Sequence, residues 1–311
     1  MSSHTVLSRC LGLNTKDHPT QLVTKYGQYL AKAVNVNITD TGAVERRSGY
    51  SNLVTGYTNA HSLYPFLDRY AIYADQNALY CYDTDTGIVS VLFDALTPDK
   101  PISYASVGNM LAFSNGVERG LIVFDGVVKC IDYFEFVADP TQLEREIIEF
   151  PITDIIHFFS GSMYGAIAGA EFLYCSEPYK PNHYDQVGGY ITLPSAINWI
   201  QDVDTALLVG TDAGIYGYVG TGLSDFKEEC VHPVGSKICS EHDHYSFSNL
   251  YYGIPEEKIG VFCLCYDDII FIDSKLEVTV MTDKLNVDWS AVESGTFGKV
   301  DNNYIFSGVM T

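Results

Sequence analysis

The chain has 311 residues, 47% of them hydrophobic and 13% aromatic, and it carries 39 acids against 18 Lys and Arg for a net charge of −21. That length suits one large all-β domain or two ordinary ones, and ordinary Gly and Pro contents exclude a fibrous or disordered chain. No apolar run of about 18 residues occurs, so no membrane insertion is expected, and the acidity argues against free nucleic-acid binding, because phosphate is repelled.

The charge is uneven. The first 50 residues hold Arg9, Lys16, Lys25, Lys32, Arg46 and Arg47 against only Asp17, Asp40 and Glu45, a net +3 that leaves −24 for the rest. The opening MSSHTVLSRCLGLNTKD has no continuous apolar core, so it does not read as a secretory signal. Residues 1–32 read as a basic arm, with turn-like Leu11 to Asn14 and His18-Pro19. A short helix is expected within Thr20 to Lys32, where Leu22, Tyr26, Tyr29 and Leu30 fall near helical spacing.

Residues 33–50, AVNVNITDTGAVERRSGY, read as a hairpin. Val34, Val36 and Ile38 alternate with polar residues, Asp40-Thr41-Gly42 supplies the turn, and Val44 resumes the alternation. An isolated hairpin is marginal in water and needs a sheet to join. Arg46 and Arg47 are adjacent, so on a strand they face opposite sides. They serve either to blunt an edge strand or to contact another subunit.

From His61 onward a strand-rich unit recurs. Copies start at Arg69, Asn109, Ser162, Thr205 and Gly260, with a truncated copy at Asn303. Steps of roughly 40–54 residues between strand units are the signature of a β-propeller. The longer steps coincide with a polar insertion from Asp139 to Glu149, expected to hold a helical turn or two, and with a long connection from Val231 to Tyr252. The last unit offers only two strands, near Gly295–Val300 and Asn303–Met310, whereas a blade wants four. The expected fold is therefore an all-β propeller of six blades spanning residues 33–311. The hairpin of residues 33–50, with Asn35, Asp40, Gly42 and Gly49, completes the last blade at residues 293–311 and closes the ring. Five blades plus a separate hairpin is the competing count.

Constellations for chemistry are weak. Cys230, His232, Cys239, His242 and His244 supply zinc-type ligands, but their spacing fits no metal pattern, and solvated loop histidines account for them. Asp83-Thr84-Asp85-Thr86-Gly87 resembles the start of a calcium loop yet lacks its later oxygen ligands, so a hairpin turn explains it. Asp267-Asp268 and Asp202-x-Asp204 read the same way. Cys263 and Cys265 face one side of a strand and read as buried apolar residues, and the scattered cysteines suit a reducing cytosol. No nucleophile elbow, phosphate loop or His-Glu-x-x-His is present. No catalytic residue, metal or cofactor is expected.

The hairpin Asn35 to Tyr50, with its Asp-x-Gly turn and Arg-Arg-x-Gly end, resembles the N-terminal signature of short-tailed phage tail proteins. These are the nozzle, tail tubular or DNA-stabilization family. Gly12-Leu13-Asn14 followed by Pro19 is similar to that family too, as is Leu207 to Tyr216 with its Gly-Thr-x-x-Gly. The chain is short for a nozzle, which puts a fibre-docking domain in doubt.

The resemblance implies a structural virion protein of the tail, assembled in the host cytoplasm. It implies a closed ring, often of six copies, stacked at the head-to-tail connection below the portal and its adaptor. DNA passes through such a ring during ejection without sequence-specific binding. The basic residues Arg9, Lys16, Lys25, Lys32, Arg46 and Arg47 then serve as candidate subunit contacts. The competing reading is a carbohydrate-binding or glycosidase-like propeller, motivated by the Tyr content and the many acids, with only Trp199 and Trp289 as tryptophans.

Overall fold

A computed structural model describes residues 9–34, 36–38, 42–47, 54–138, 145–240, 245–249, 256–300 and 303–310. The chain is all β: strands are joined by turns and two short 3-10 segments, and no α-helix occurs among the described residues.

The N-terminal region builds a small sheet. Strands β1 (Cys10–Leu13), β2 (Val23–Thr24) and β3 (Gly27–Leu30) lie in the order β1-β3-β2, with β1 parallel to β3. This replaces the helix expected within Thr20 to Lys32. Gly27 takes a positive φ of 153°, which residues with a side chain rarely adopt, and a hairpin forms instead, closed by the Tyr29 amide donating to the Leu22 carbonyl at 2.8 Å. The apolar spacing that suggested one helical face is here shared between two strands and a 3-10 turn at Pro19–Gln21. Strands β4 (Val36–Ile38) and β5 (Val44–Arg46) form the expected hairpin, pairing Val36 with Arg46 and Ile38 with Val44.

Four-stranded antiparallel sheets then follow one another. The first holds β6 (His61–Phe66), β7 (Tyr70–Asp75), β8 (Ala78–Asp83) and β9 (Val89–Phe93). The second holds β10 (Ser103–Val107), β11 (Met110–Ser114), β12 (Arg119–Phe124) and β13 (Val128–Ile131). The third is larger, with β14 (Ile147–Glu149), β15 (Ile155–Phe159), β16 (Ser162–Ala166), β17 (Phe172–Glu177), β18 (Lys180–Asp185) and β19 (Tyr190–Thr192). The fourth holds β20 (Ile197–Val203), β21 (Ala206–Thr211), β22 (Ile215–Val219) and β23 (Lys227–His232).

After β24 (Ile238–Ser240), the fifth sheet holds β25 (Tyr245–Asn249), β26 (Glu256–Leu264), β27 (Ile269–Asp273) and β28 (Val278–Val280). The last sheet has three strands in the order β24-β29-β30, where β29 is Val292–Val300 and β30 is Asn303–Met310. The insertion expected to be helical ends in β14, which pairs with β18; residues 139–144 lie outside the described residues. The long connection from Val231 contains β24 and β25.

The central strands of the second to fifth sheets read as unbroken apolar runs because both faces of these sheets are covered. In β26 and β27, Val261, Cys263, Cys265, Ile270 and Ile272 pack toward the fourth sheet with Trp199, Leu208 and Ile215. The alternate residues Phe262, Leu264, Ile269 and Phe271 pack the other way, onto Trp289, Val292 and Phe297 of the last sheet. The same division joins the first sheet to the second, the second to the third and the third to the fourth. Each fully buried Leu, Ile or Phe contributes about 1.5–3 kcal/mol. Sheets stacked face to face in chain order, each sharing one core with the next, make a β-propeller.

The Gly-Thr-x-x-Gly stretch has a local reason. The Thr211 hydroxyl donates to the Gly214 carbonyl at 2.9 Å and accepts from the Ala213 and Gly214 amides at 3.2 Å, so one side chain organises the β21–β22 turn. Gly210 lies where any Cβ would collide with the Trp199 indole.

The hairpin of residues 33–50 does not join the last sheet among the described residues. β4 and β5 pair with each other, and β29 takes its second neighbour from β24, with Ile238 beside Ser294 in parallel register. Gly42, at φ of 81°, explains where the hairpin tip goes: its carbonyl accepts from the Cys10 amide at 2.8 Å. A side chain at position 42 would strike Arg9 and the Cys10 backbone. The tip is therefore seated on β1 of the small sheet. Asn35, Asp40 and Gly49 lie outside the described residues.

Lys237 ties the last sheet to the body. Its side chain is buried, and its Nζ donates to the carbonyls of Trp289 and Ser290 at 2.9 Å and to that of Val292. Burial pushes its pKa below the ordinary lysine value, opposed by Asp288 and Glu293.

Candidate subunit interface

The N-terminal sheet is held together by side chains that the sequence places close to one another. Asn14 is buried; its Oδ1 accepts from the Lys16 and Asp17 amides, and its Nδ2 donates to Asp17 at 2.9 Å. Cys10 and Leu22 supply the buried apolar residues. Gly27 is required by contact, since a Cβ there would stand 2.6 Å from the Arg9 carbonyl, which accepts from the Gln28 amide. The sheet is fastened to the body through Thr15. Its amide donates to the Lys284 carbonyl at 3.0 Å, and its hydroxyl accepts from the Asn286 amide at 2.7 Å.

This frame presents the basic residues singled out in the sequence. Arg9, Lys16, Lys25, Lys32, Arg46 and Arg47 are all exposed. Among them stand the apolar side chains Val23, Tyr26, Val34 and Val44, which are exposed as well, and the Lys25 ammonium lies 4.7 Å from the centre of the Tyr26 ring. Cationic and apolar groups at the turns and ends of these strands suit a protein surface of opposite charge: the charges steer the encounter and the apolar groups supply burial. Neither the sheet nor the seating of the hairpin on β1 has a local sequence signal, because they depend on contacts distant in sequence, Cys10 with Gln28 and Cys10 with Gly42.

The other sequence candidates resolve into structure. Asp83 accepts both arms of the Arg69 guanidinium at 2.8 and 2.7 Å, and the Gly87 amide donates to its carbonyl, so this stretch is a clamped hairpin turn. Arg69 holds the Asp83 carboxyl well below the usual carboxylate range. Cys263 and Cys265 are both fully buried in one core. Cys230 is exposed, and His242 and His244 lie outside the described residues. No cluster of three metal-ligating side chains occurs among the described residues. Trp199 and Trp289 are buried in cores, which removes both tryptophans as stacking platforms for a sugar.

One arrangement had no sequence signal. His157 on β15 and Asp202 on β20, 45 residues apart, meet at 2.8 Å. Asp202 also lines a cleft of about 350 Å³ with Phe158, Phe159, Ser160, Asp204 and Thr205. The pair joins the third sheet to the fourth by a polar contact at the edge of their shared core. It could pass a proton between nitrogen and oxygen.

Solved structures similar to this one include an auxiliary nutrient binding protein from Bacteroides thetaiotaomicron, at TM-score 0.50 and 10% identity over 81% of this chain and 67% of that one. Virginiamycin B lyase from Staphylococcus aureus gives 0.47 and 14% over 81% and 85%. A gluconolactonase from Xanthomonas campestris gives 0.43 and 11% over 82% and 85%. The fold is a β-propeller. At these identities the likeness extends to the fold alone, and fold does not carry function. No protein-family model and no curated protein matches the sequence.

Proposed function

We propose that this chain is a structural protein of a short-tailed bacteriophage tail, without catalytic activity. In this reading it forms a closed ring of identical copies below the portal through which DNA passes. The observation that carries the proposal is the N-terminal region. Its hairpin resembles the tail-protein signature, and its exposed basic and apolar residues stand on a chain that is otherwise acidic. A net −24 over the rest of the chain supports an acidic wall along which phosphate slides without sticking. The same charge offers each basic sheet an acidic neighbour, and closed symmetry is the default for homo-oligomers.

Negative-stain electron microscopy of the purified chain tests the ring, and antibody labelling of phage particles tests its place. Annular particles and label at the tail are expected. A chain that stays monomeric at micromolar concentration and is absent from particles would overturn the reading.

A further inference from the structure

The last sheet ends differently from the others. The five sheets from β6 to β28 have four or more strands, whereas β24-β29-β30 has three, with β30 at its edge. Apart from the five-residue β9, the outer strands of the four-stranded sheets are blunted. β13 carries Lys129, β23 begins Lys227-Glu228-Glu229, and β28 has only three residues. β30 runs for eight residues, NYIFSGVM, with no charge and no proline, and Ser307, Gly308 and Val309 on it are exposed. A long, uncharged edge with no further strand paired to it among the described residues is a template for one.

The chain contains a matching piece. The β4–β5 hairpin forms a two-stranded sheet with no third strand among the described residues, which is a marginal unit on its own. In its own chain the tip is seated on β1 through Gly42, and the β4–β5 pair is not joined to β30 among the described residues. The hairpin ends in exposed Arg46 and Arg47, and the surface leading into the last sheet carries exposed Asp283, Asp288 and Glu293.

We propose that the outer edge of β30 accepts the β4–β5 hairpin of a second copy of this chain, completing the last blade between subunits. This rests on the ring reading and names the contact that builds it. Strand addition supplies backbone hydrogen bonds along β30, and the Arg46–Arg47 end meets the acidic approach to β29, which sets the direction of docking.

The test mixes two full-length chains, both carrying Cys230→Ser to remove that exposed thiol. One carries Val44→Cys and the other Val309→Cys, and a short bismaleimide joins thiols that meet. The expected result is a covalent dimer in the mixture and none from the Cys230→Ser parent. A second variant, Ser307→Lys with Val309→Lys, changes only exposed side chains. It should leave the melting temperature of the dilute monomer unchanged and weaken association at least about tenfold, the factor that corresponds to ~1.4 kcal/mol. A product formed only when both cysteines sit in one chain overturns the proposal, because the chain's own hairpin then fills the edge. Rings that form normally with the double Lys variant and give no cross-link overturn the strand contact and leave the ring standing. Cross-linked chains from a protein absent from phage particles uphold the contact and overturn the tail reading. A strictly monomeric chain overturns both.

Discussion

Replacing Lys237 by Met tests how the last sheet is held. The substitution keeps the length of the side chain and removes the ammonium that donates to Trp289, Ser290 and Val292. Each buried carbonyl left without a donor costs about 1–3 kcal/mol. Against this, the wild type bears the cost of burying a cation, several kcal/mol, and Met does not. The Trp289 carbonyl keeps the Val292 amide as a donor and Ser290 is exposed, so the relieved charge offsets much of the loss and a net cost of about 1 kcal/mol remains.

For a domain of this size 1 kcal/mol moves the melting temperature by about 2 °C, so a fall of about 2 °C is expected. Urea unfolding followed by circular dichroism measures the loss. Hydrogen exchange should place the first opening in β29 and β30, since Lys237 also bonds through its amide to the Leu264 carbonyl at the end of β26. Lys275→Met, at an exposed turn, is the control and should stay within about 0.5 kcal/mol of wild type. If Lys237→Met is as stable as that control, the lysine is not what fastens the sheet.

Other expectations follow from particular contacts. Gly210→Ala should cost about 1–3 kcal/mol by overpacking, and because the new methyl meets Trp199 the indole fluorescence should shift with it; unchanged fluorescence and stability would refute the packing. Burial lowers the His61 pKa below 6.5, against the pull of Asp99 and Asp75, so below pH 6.5 the unfolded chain binds more protons and stability falls as pH drops. His61→Gln should flatten that slope between pH 7.5 and 5 in urea titrations. Asp83 is held low by Arg69, so its stabilisation is present above the unfolded value of 3.8 and is lost as pH falls through the folded value. Asp83→Asn should therefore lower the urea midpoint at pH 7 and converge with wild type in strong acid. Arg46→Glu with Arg47→Glu should abolish assembly while leaving the monomer's melting temperature in place, as read by analytical ultracentrifugation and calorimetry.

Most of the propeller was legible in the sequence. The units starting at Arg69, Asn109, Ser162, Thr205 and Gly260 are the central hairpins β7–β8, β11–β12, β16–β17, β21–β22 and β26–β27. Two-sided burial writes itself as unbroken apolar runs such as Val261 to Cys265. The misreadings came where local pattern and long-range pairing disagree. Leu22, Tyr26, Tyr29 and Leu30 keep helical spacing, yet Gly27 is committed to a close backbone approach to Arg9. The last sheet takes β24 as its third strand, a segment that reads as loop because only Ile238 to Ser240 are paired. Of the candidate site, the six cations could be listed from the sequence. That an ordered sheet would display them could not, since Asn14, Gly27 and Gly42 act through backbone contacts that no periodicity records.

The five cores carry a further consequence. Each joins two consecutive sheets, so cohesion passes from neighbour to neighbour, as in a row of repeats. Damage to one core, by Ile270→Ala for instance, should loosen the two sheets that share it before it reaches the others. No described core joins the last sheet to the first. In the free subunit, fraying should therefore begin at these two ends of the row, and a neighbour that clasps β30 would raise the melting temperature with rising protein concentration.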